Sequence, residues 1–180
     1  PIHEDGLIWI TTAIETPASE AEKKERLKEN KGLPTVIVLS KVSLRSLQID
    51  PKSGKVLQNV EIFEKKQPQW VHKLNSYASP TPVIEDGKIY FHFGAYGNAC
   101  IDARYGEILW KNDDKALWVM HENGPGSSPL IRDELMTFHL DGSDKQKLVA
   151  MYKDLTLILN CSVRRRTTDR APWSDHSLKH

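Results

Sequence analysis

Two stretches of this 180-residue chain carry the side chains best suited to chemistry. Trp70-Val71-His72-Lys73-Leu74-Asn75 recurs 48 residues on as Trp118-Val119-Met120-His121-Glu122-Asn123. Imidazoles, a carboxylate and carboxamides can hydrogen-bond a polar ligand, share a cation or carry a proton. With Tyr77 they define a candidate ligand-binding set: His72, Asn75, Tyr77, His121, Glu122 and Asn123. Each stretch runs into a small-residue bend, Ser76–Ser79 and Gly124–Ser128, so Asn75 and Asn123 can equally be caps that bond local amides. Trp70, Trp118 and Tyr77 offer flat faces suited to a glycan or a peptide.

The remaining reactive types form no such set. His92 and His139 occupy equivalent places in neighbouring repeats. Stacked sheets lie about 10 Å apart, so these two are expected as core or surface histidines rather than ligands to one metal. Cys100 sits in an apolar strand and is expected as a small buried thiol, and two cysteines make neither a disulfide framework nor a metal site. No Ser/His/Asp nucleophile set, phosphate-cradling glycine loop or paired-carboxylate site stands out, so no catalytic residue and no metal ligand is assigned. Net charge is +1, which gives no general electrostatic case for nucleic acid or an anionic membrane surface. No apolar run reaches the length of a membrane span.

The elements that must position these residues follow from turn chemistry. Ser79 to Trp110 reads as four short strands: an apolar strand after Pro80 and Pro82, a turn at Asp86-Gly87, an alternating strand over 88–93, a glycine-rich turn over 94–97, a strand over 99–102, a turn over 104–106 and a last strand ending on Trp110. The unit recurs. Asp5-Gly6-Leu7-Ile8 matches Asp86-Gly87-Lys88-Ile89; Asp50 and Gly54 match Asp102 and Gly106; Asp133 and Phe138-His139 match Asp86 and Phe91-His92. Three copies at roughly 50 residues point to radial repetition, an all-β propeller of four-stranded antiparallel blades. The expected blades are 5–63, 79–118 and 126–160, an open arc. Its unpartnered ends call for remaining blades or self-association.

One segment departs from β periodicity. Ser19 and Glu22 have the spacing of a capping box, and strong helix formers run to Asn30 before Lys31-Gly32. Only Ala21 and Leu27 are apolar, so 19–31 reads as a solvated helical insertion between two strands of one blade. Past Asp154 the cycle lacks its glycine turn and tryptophan. Leu155–Asn160 can still supply an outer strand, whereas 161–180 has no strand period and is expected as a disordered tail. A reading-frame shift or junction near residue 155 would account for the break. The chain begins at Pro1 without a signal pattern, so it fits a processed or excised piece and its location is not readable.

Cys100-Ile101-Asp102-Ala103-Arg104-Tyr105-Gly106-Glu107-Ile108-Leu109-Trp110 resembles the tryptophan-docking motif of pyrroloquinoline quinone (PQQ)-type propeller repeats. Asp102, Gly106 and Trp110 match it; Cys100 and Tyr105 replace its usual Ala and Thr. The first copy keeps Asp50 and Gly54 but has Gln58 in the tryptophan place, and the third has neither Gly nor Trp. The resemblance covers about residues 1–160 and extends to the Asn75–Pro82 and His121–Pro129 connections. It implies that Asp50, Gly54, Asp102, Gly106 and Trp110 dock blades, and it suggests a periplasmic or extracellular setting. A quinoprotein dehydrogenase is expected to carry a vicinal cysteine pair, a carboxylate–Asn calcium site and an aspartate base. This chain has no Cys-Cys, and only Glu122-Asn123 echoes the calcium site. The reading is therefore a non-catalytic binding or assembly module without PQQ or Ca²⁺, with a protein, glycan or small molecule as partner. The alternative is a fragment of a PQQ-dependent oxidoreductase.

Overall fold

The computed structural model describes residues 1–28, 35–121 and 123–154, and the backbone of 158–162. The elements in chain order are β1 (Ile2–Glu4), β2 (Leu7–Pro17), α1 (Glu20–Arg26), β3 (Val36–Ile37), β4 (Leu39–Ile49), β5 (Val56–Lys66), β6 (Val71–His72), β7 (Val83–Glu85), β8 (Lys88–His92), β9 (Asn98–Asp102), β10 (Ile108–Asn112), β11 (Leu130–Arg132), β12 (Leu135–Asp141), β13 (Gln146–Tyr152) and β14 (Ile158–Ser162). They form three four-stranded antiparallel sheets, β1-β2-β4-β5, β7-β8-β9-β10 and β11-β12-β13-β14, and one two-stranded sheet, β3-β6. The first strands lie side by side, with β7 touching both β1 and β11. The chain is a partial β-propeller, three blades in an open arc with one short helix.

Local chemistry sets the hairpins. Asp5, Asp86 and Asp133 hold φ of 49°, 50° and 52° at the first turn of each blade, a conformation that aspartate tolerates better than most side chains. The turn before the fourth strand is also repeated between the first two blades. Asp50 N–H donates to Lys55 O and Gly54 N–H to Asp50 O; Asp102 N–H donates to Glu107 O and Gly106 N–H to Asp102 O. Gly54 and Gly106 sit at φ 71° and 73°, where a Cβ is strained.

Side-chain alternation explains why the middle blade reads as continuously apolar. In β8, Ile89 and Phe91 face the first blade while Tyr90 faces the third; in β9, Ala99 and Ile101 face the first and Cys100 the third. Both faces are covered, so nearly every position is buried.

Several details differ from the sequence reading. The first blade starts at Ile2 and runs to Lys66, because β2 and β4 are eleven-residue strands paired along almost their whole length. The β3–β6 pair was not anticipated. β14 carries backbone pairing through Cys161 and Ser162, past the point where a tail was expected; residues 163–180 lie outside the described set. In α1, Ser19 Oγ accepts the Glu22 N–H at 3.2 Å as a capping box requires, but Glu22 turns to Gln67 and Arg26 instead of back to Ser19. No α1 residue is buried, yet Arg26 moors the helix by donating to Leu39 O at 2.7 Å and to Pro68 O. Residues 29–31 of the expected insertion fall outside the described set.

Candidate functional site

The two blade connections, 67–82 and 113–129, lie against each other and are tied by Gln69. Its Nε2 donates to Val119 O at 2.8 Å, and its Oε1 accepts the His121 N–H at 3.0 Å. Its carbonyl accepts hydroxyls from Tyr77 (2.8 Å) and Tyr96 (3.2 Å). Asn75 makes the second tie. Its Nδ2 donates to Asn123 O at 2.6 Å and to Pro125 O at 3.2 Å, while its Oδ1 accepts from Ser76 N–H and Ser79 Oγ. Gly124, at φ 88°, lets these segments meet: a Cβ there would lie 2.8 Å from Val71 Cγ1.

The predicted ligand set is therefore only partly assembled. His121 and Asn123 border common space. Asn75 is consumed as a strut, and His72 Nδ1 accepts the Leu74 N–H at 3.2 Å, a local bend contact. Tyr77 is fully buried in the core between the first two blades, where desolvation raises its hydroxyl pKa above the ordinary range. It does not line a channel mouth. Glu122 lies outside the described residues. Gln69 escaped the sequence reading because a lone glutamine before Trp70 has no counterpart in the repeat, where Leu117 precedes Trp118.

Three clefts meet at His121. One of about 230 Å³ is bordered by His92, His139, Asp141 and the Gly124–Ser127 backbone. A second of about 270 Å³ is bordered by Trp70, Trp118, Met120 and Arg26, and a third of about 260 Å³ by Asn123, Ser143 and Gln146. The His121 side chain is buried at 7 % exposure, edge-on to Tyr96 at 5.3 Å. Neither ring nitrogen has a hydrogen-bond partner among the described residues, and desolvation lowers its pKa. A neutral imidazole with both ring nitrogens enclosed and unpartnered is thus held where these clefts meet. Trp118 and Met120 stand exposed beside it.

His92 and His139 differ sharply despite their equivalent positions. His92 is buried against Phe138, ring centroids 4.4 Å apart, while the His139 side chain is exposed; they meet through the His139 carbonyl, 3.3 Å from His92 Nε2. Desolvation pushes the His92 pKa down to about 4, so the ring is neutral at pH 7 and donates from one nitrogen. With Nε2–H on His139 O, Nδ1 must accept. The Asn98 carboxamide, whose oxygen lies 2.8 Å from Nδ1 and whose Nδ2 lacks a partner, satisfies it once turned over about its own axis. Among the described residues, no three His, Cys, Asp or Glu side chains are placed to hold a metal ion.

Of the five residues expected to dock blades, Trp110 and Gly106 meet a neighbouring blade, Asp50 and Asp102 bond within their own turns, and Gly54 has open space around it. Asp102 Oδ1 accepts the amides of Arg104 (2.8 Å) and Tyr105 (2.7 Å). Asp50 Oδ1 accepts Lys52 N–H at 2.9 Å and its Oδ2 accepts Ser53 Oγ at 2.5 Å, which lowers its pKa. Trp110 Nε1 donates to Lys153 O of the third blade at 2.8 Å. Gln58, in the tryptophan place of the first blade, donates from Nε2 to Arg104 O of the second at 2.9 Å. The same outward reach serves both junctions, and the 52-residue offset from Gln58 to Trp110 was the signal for it.

No family model and no curated protein matches the chain. Among the solved structures that align with it are a europium-containing methanol dehydrogenase, at 12 % identity and TM-score 0.40 over 70 % of this chain, and BamB from Moraxella catarrhalis, at 15 % identity and TM-score 0.41 over 71 %. The chain spans 23 % and 33 % of their respective lengths.

Proposed function

We propose that this chain is a non-catalytic propeller module that binds a partner at the aromatic cleft where its two connections meet. The observation that carries the reading is the pairing of a buried, unpartnered His121 with Trp70, Trp118 and Met120 around one cleft. The other polar groups bordering that cleft are already engaged: Gln69 with Val119 and His121, Arg26 with two carbonyls, Gln67 with Glu22. Glycan sites pair aromatic faces with several available hydrogen-bonding groups, whereas this cleft offers chiefly apolar surface and one imidazole. An aromatic or aliphatic side chain of a peptide fits that supply better. Peptide and glycan arrays probed with the intact chain test it. Peptide hits that Trp118→Ala weakens tenfold or more support the reading; hits confined to glycans, or silence on both arrays, overturn it.

The rival is a fragment of a PQQ-dependent oxidoreductase, favoured only by the sequence resemblance. The residues present do not suit that cofactor. The chain has no adjacent cysteine pair, and Cys100 lies in a blade core with its thiol pushed up to about 12 by desolvation. We derive no step through the quinone. Saturable calorimetric binding of PQQ with Ca²⁺ would reverse this preference.

A further inference from the structure

The first blade meets another blade on one face only. There Trp9, Val42 and Leu44 share a core with Ile89, Phe91, Ala99 and Ile101 of the second blade. The opposite face presents Ile8 and Ile10 of β2 beside Ile49 and Leu47 of β4, cross-strand pairs that are all partly exposed. Through the repeat, these four positions correspond to Ile89, Phe91, Ala99 and Ile101 in the second blade. In the third they correspond to Met136, Phe138, Val149 and Met151. In both later blades all eight are buried to 1 % exposure or less, because the preceding blade sits on them.

The extent of the apolar patch makes the same point. β2 and β4 are eleven residues long, while β8 and β9 are five. The isoleucine–leucine patch occupies the part of β2 and β4 that matches a five-residue blade. Beyond it β4 turns polar on this face and satisfies itself, while β2 adds the exposed Ile14: Arg45 donates to Asn59 Oδ1 at 2.6 Å and to Glu61 Oε2 at 3.0 Å, and Ser43 Oγ donates to Glu61 Oε2. The chain also carries a complement. In the third blade Thr137, Leu148 and Ala150 stand in the places of Tyr90, Asn98 and Cys100, on the face that covers a following blade, and they are partly exposed.

We propose that the Ile8–Ile10–Leu47–Ile49 face docks the open face of the third blade in a second copy of this chain, head to tail. The two surfaces differ, so the contact is heterologous and closes if the rotation between copies permits. Three blades fall below the four to eight of closed propellers; two copies supply six.

Size-exclusion chromatography with light scattering on the purified chain tests this across a concentration series. The expected result is reversible association to twice the 20.5 kDa chain mass. Ile10→Glu and Ala150→Glu should each weaken it at least tenfold while leaving far-UV circular dichroism unchanged. Mixing the two variants should restore a dimer, since each keeps the face the other has lost. A wild-type chain that stays monomeric would leave the face to a blade outside this sequence and overturn self-docking. Association that survives either substitution, irreversible aggregation common to all variants, or a mixture that remains monomeric would overturn it as well.

Discussion

The two blade junctions solve the same problem with different materials. Between the first and second blades the core is aromatic: Phe63 meets Phe93 edge-on at 6.1 Å, Phe93 stacks on Phe91, and Tyr77 and Tyr96 both reach Gln69 O. Between the second and third it is softer, built on Met136, Met151 and Cys100, with a neutral histidine pressed on Phe138. Side-chain N–H groups donated to turn carbonyls of the next blade cross each junction, from Gln48 and Gln58 in the first and from Trp110 in the second. Lys153 adds an ion pair to Glu85 at the second junction, which raises the lysine pKa. The comparison teaches that the shared requirement is a reach and a donor. The indole adds area where the core around it is thinner.

The largest expected effect tests that division of labour. Trp110→Ala removes a partly buried indole, worth about 3 kcal/mol at the low end for such truncations, and strands Lys153 O for about 1 kcal/mol more. Trp110→Gln should recover about 1 kcal/mol of the loss by restoring the donor. Chemical denaturation of both variants measures this. Equal losses would mean that the N–H contributes nothing and the indole acts by area alone.

The histidine at the second junction should make that junction acid-sensitive. His92 titrates near 4 when folded and at about 6.5 when unfolded, so the unfolded chain binds the extra proton between those values. Its stabilising share is complete above about pH 6.5 and is lost as pH falls toward 4, about 3 kcal/mol in all. His121, also lowered, acts in the same direction. His92→Leu should flatten most of that limb in melts recorded from pH 7 to 4. An unchanged slope would show that the ring is not held neutral.

Legibility followed the density of forced backbone. The second blade was readable almost residue by residue, since both faces are buried and each turn needs Asp or Gly at positive φ. The length of β2 and β4 was hidden, because their extensions alternate polar residues that mimic loop composition. In the candidate site, His121 and the paired tryptophans were visible as a repeated motif. Gln69 was not, for a lone amide side chain that reaches across to the next connection leaves no periodicity, whereas Gln58 was marked by its 52-residue offset from Trp110. Tyr77 misled because a tyrosine beside Asn75 and Ser76 looks like a bend residue, whereas the bend turns its ring into the core.

The paired glycines sharpen the comparison on a smaller scale. Gly54 and Gly106 share nearly the same positive φ, so replacement by alanine should cost each about 1 kcal/mol of backbone strain. Open space surrounds a Cβ at Gly54. At Gly106 it would lie 2.5 Å from Gln58 Oε1 and 3.1 Å from Val60 Cγ2, across the first junction. Gly106→Ala should therefore cost about 1 kcal/mol more than Gly54→Ala. Identical losses in parallel melts would show that the junction yields freely there.

The smallest effect belongs to Gln58, and its sign is informative. Its Nε2 makes the crossing bond to Arg104 O, but its Oε1 is buried with no partner. Removing the whole amide forfeits a bond worth about 1 kcal/mol and at the same time relieves an unsatisfied acceptor of similar cost. Gln58→Leu should accordingly lie within about 0.5 kcal/mol of wild type, whereas Trp110→Leu, which loses ring area and a donor with no orphan to relieve, should cost about 2 kcal/mol or more. In a double variant with Gly106→Ala, the leucine at 58 should also interact non-additively, because the alanine Cβ is built against the amide that has gone. Additive losses would mean that the Gln58 crossing bond is incidental to the first junction.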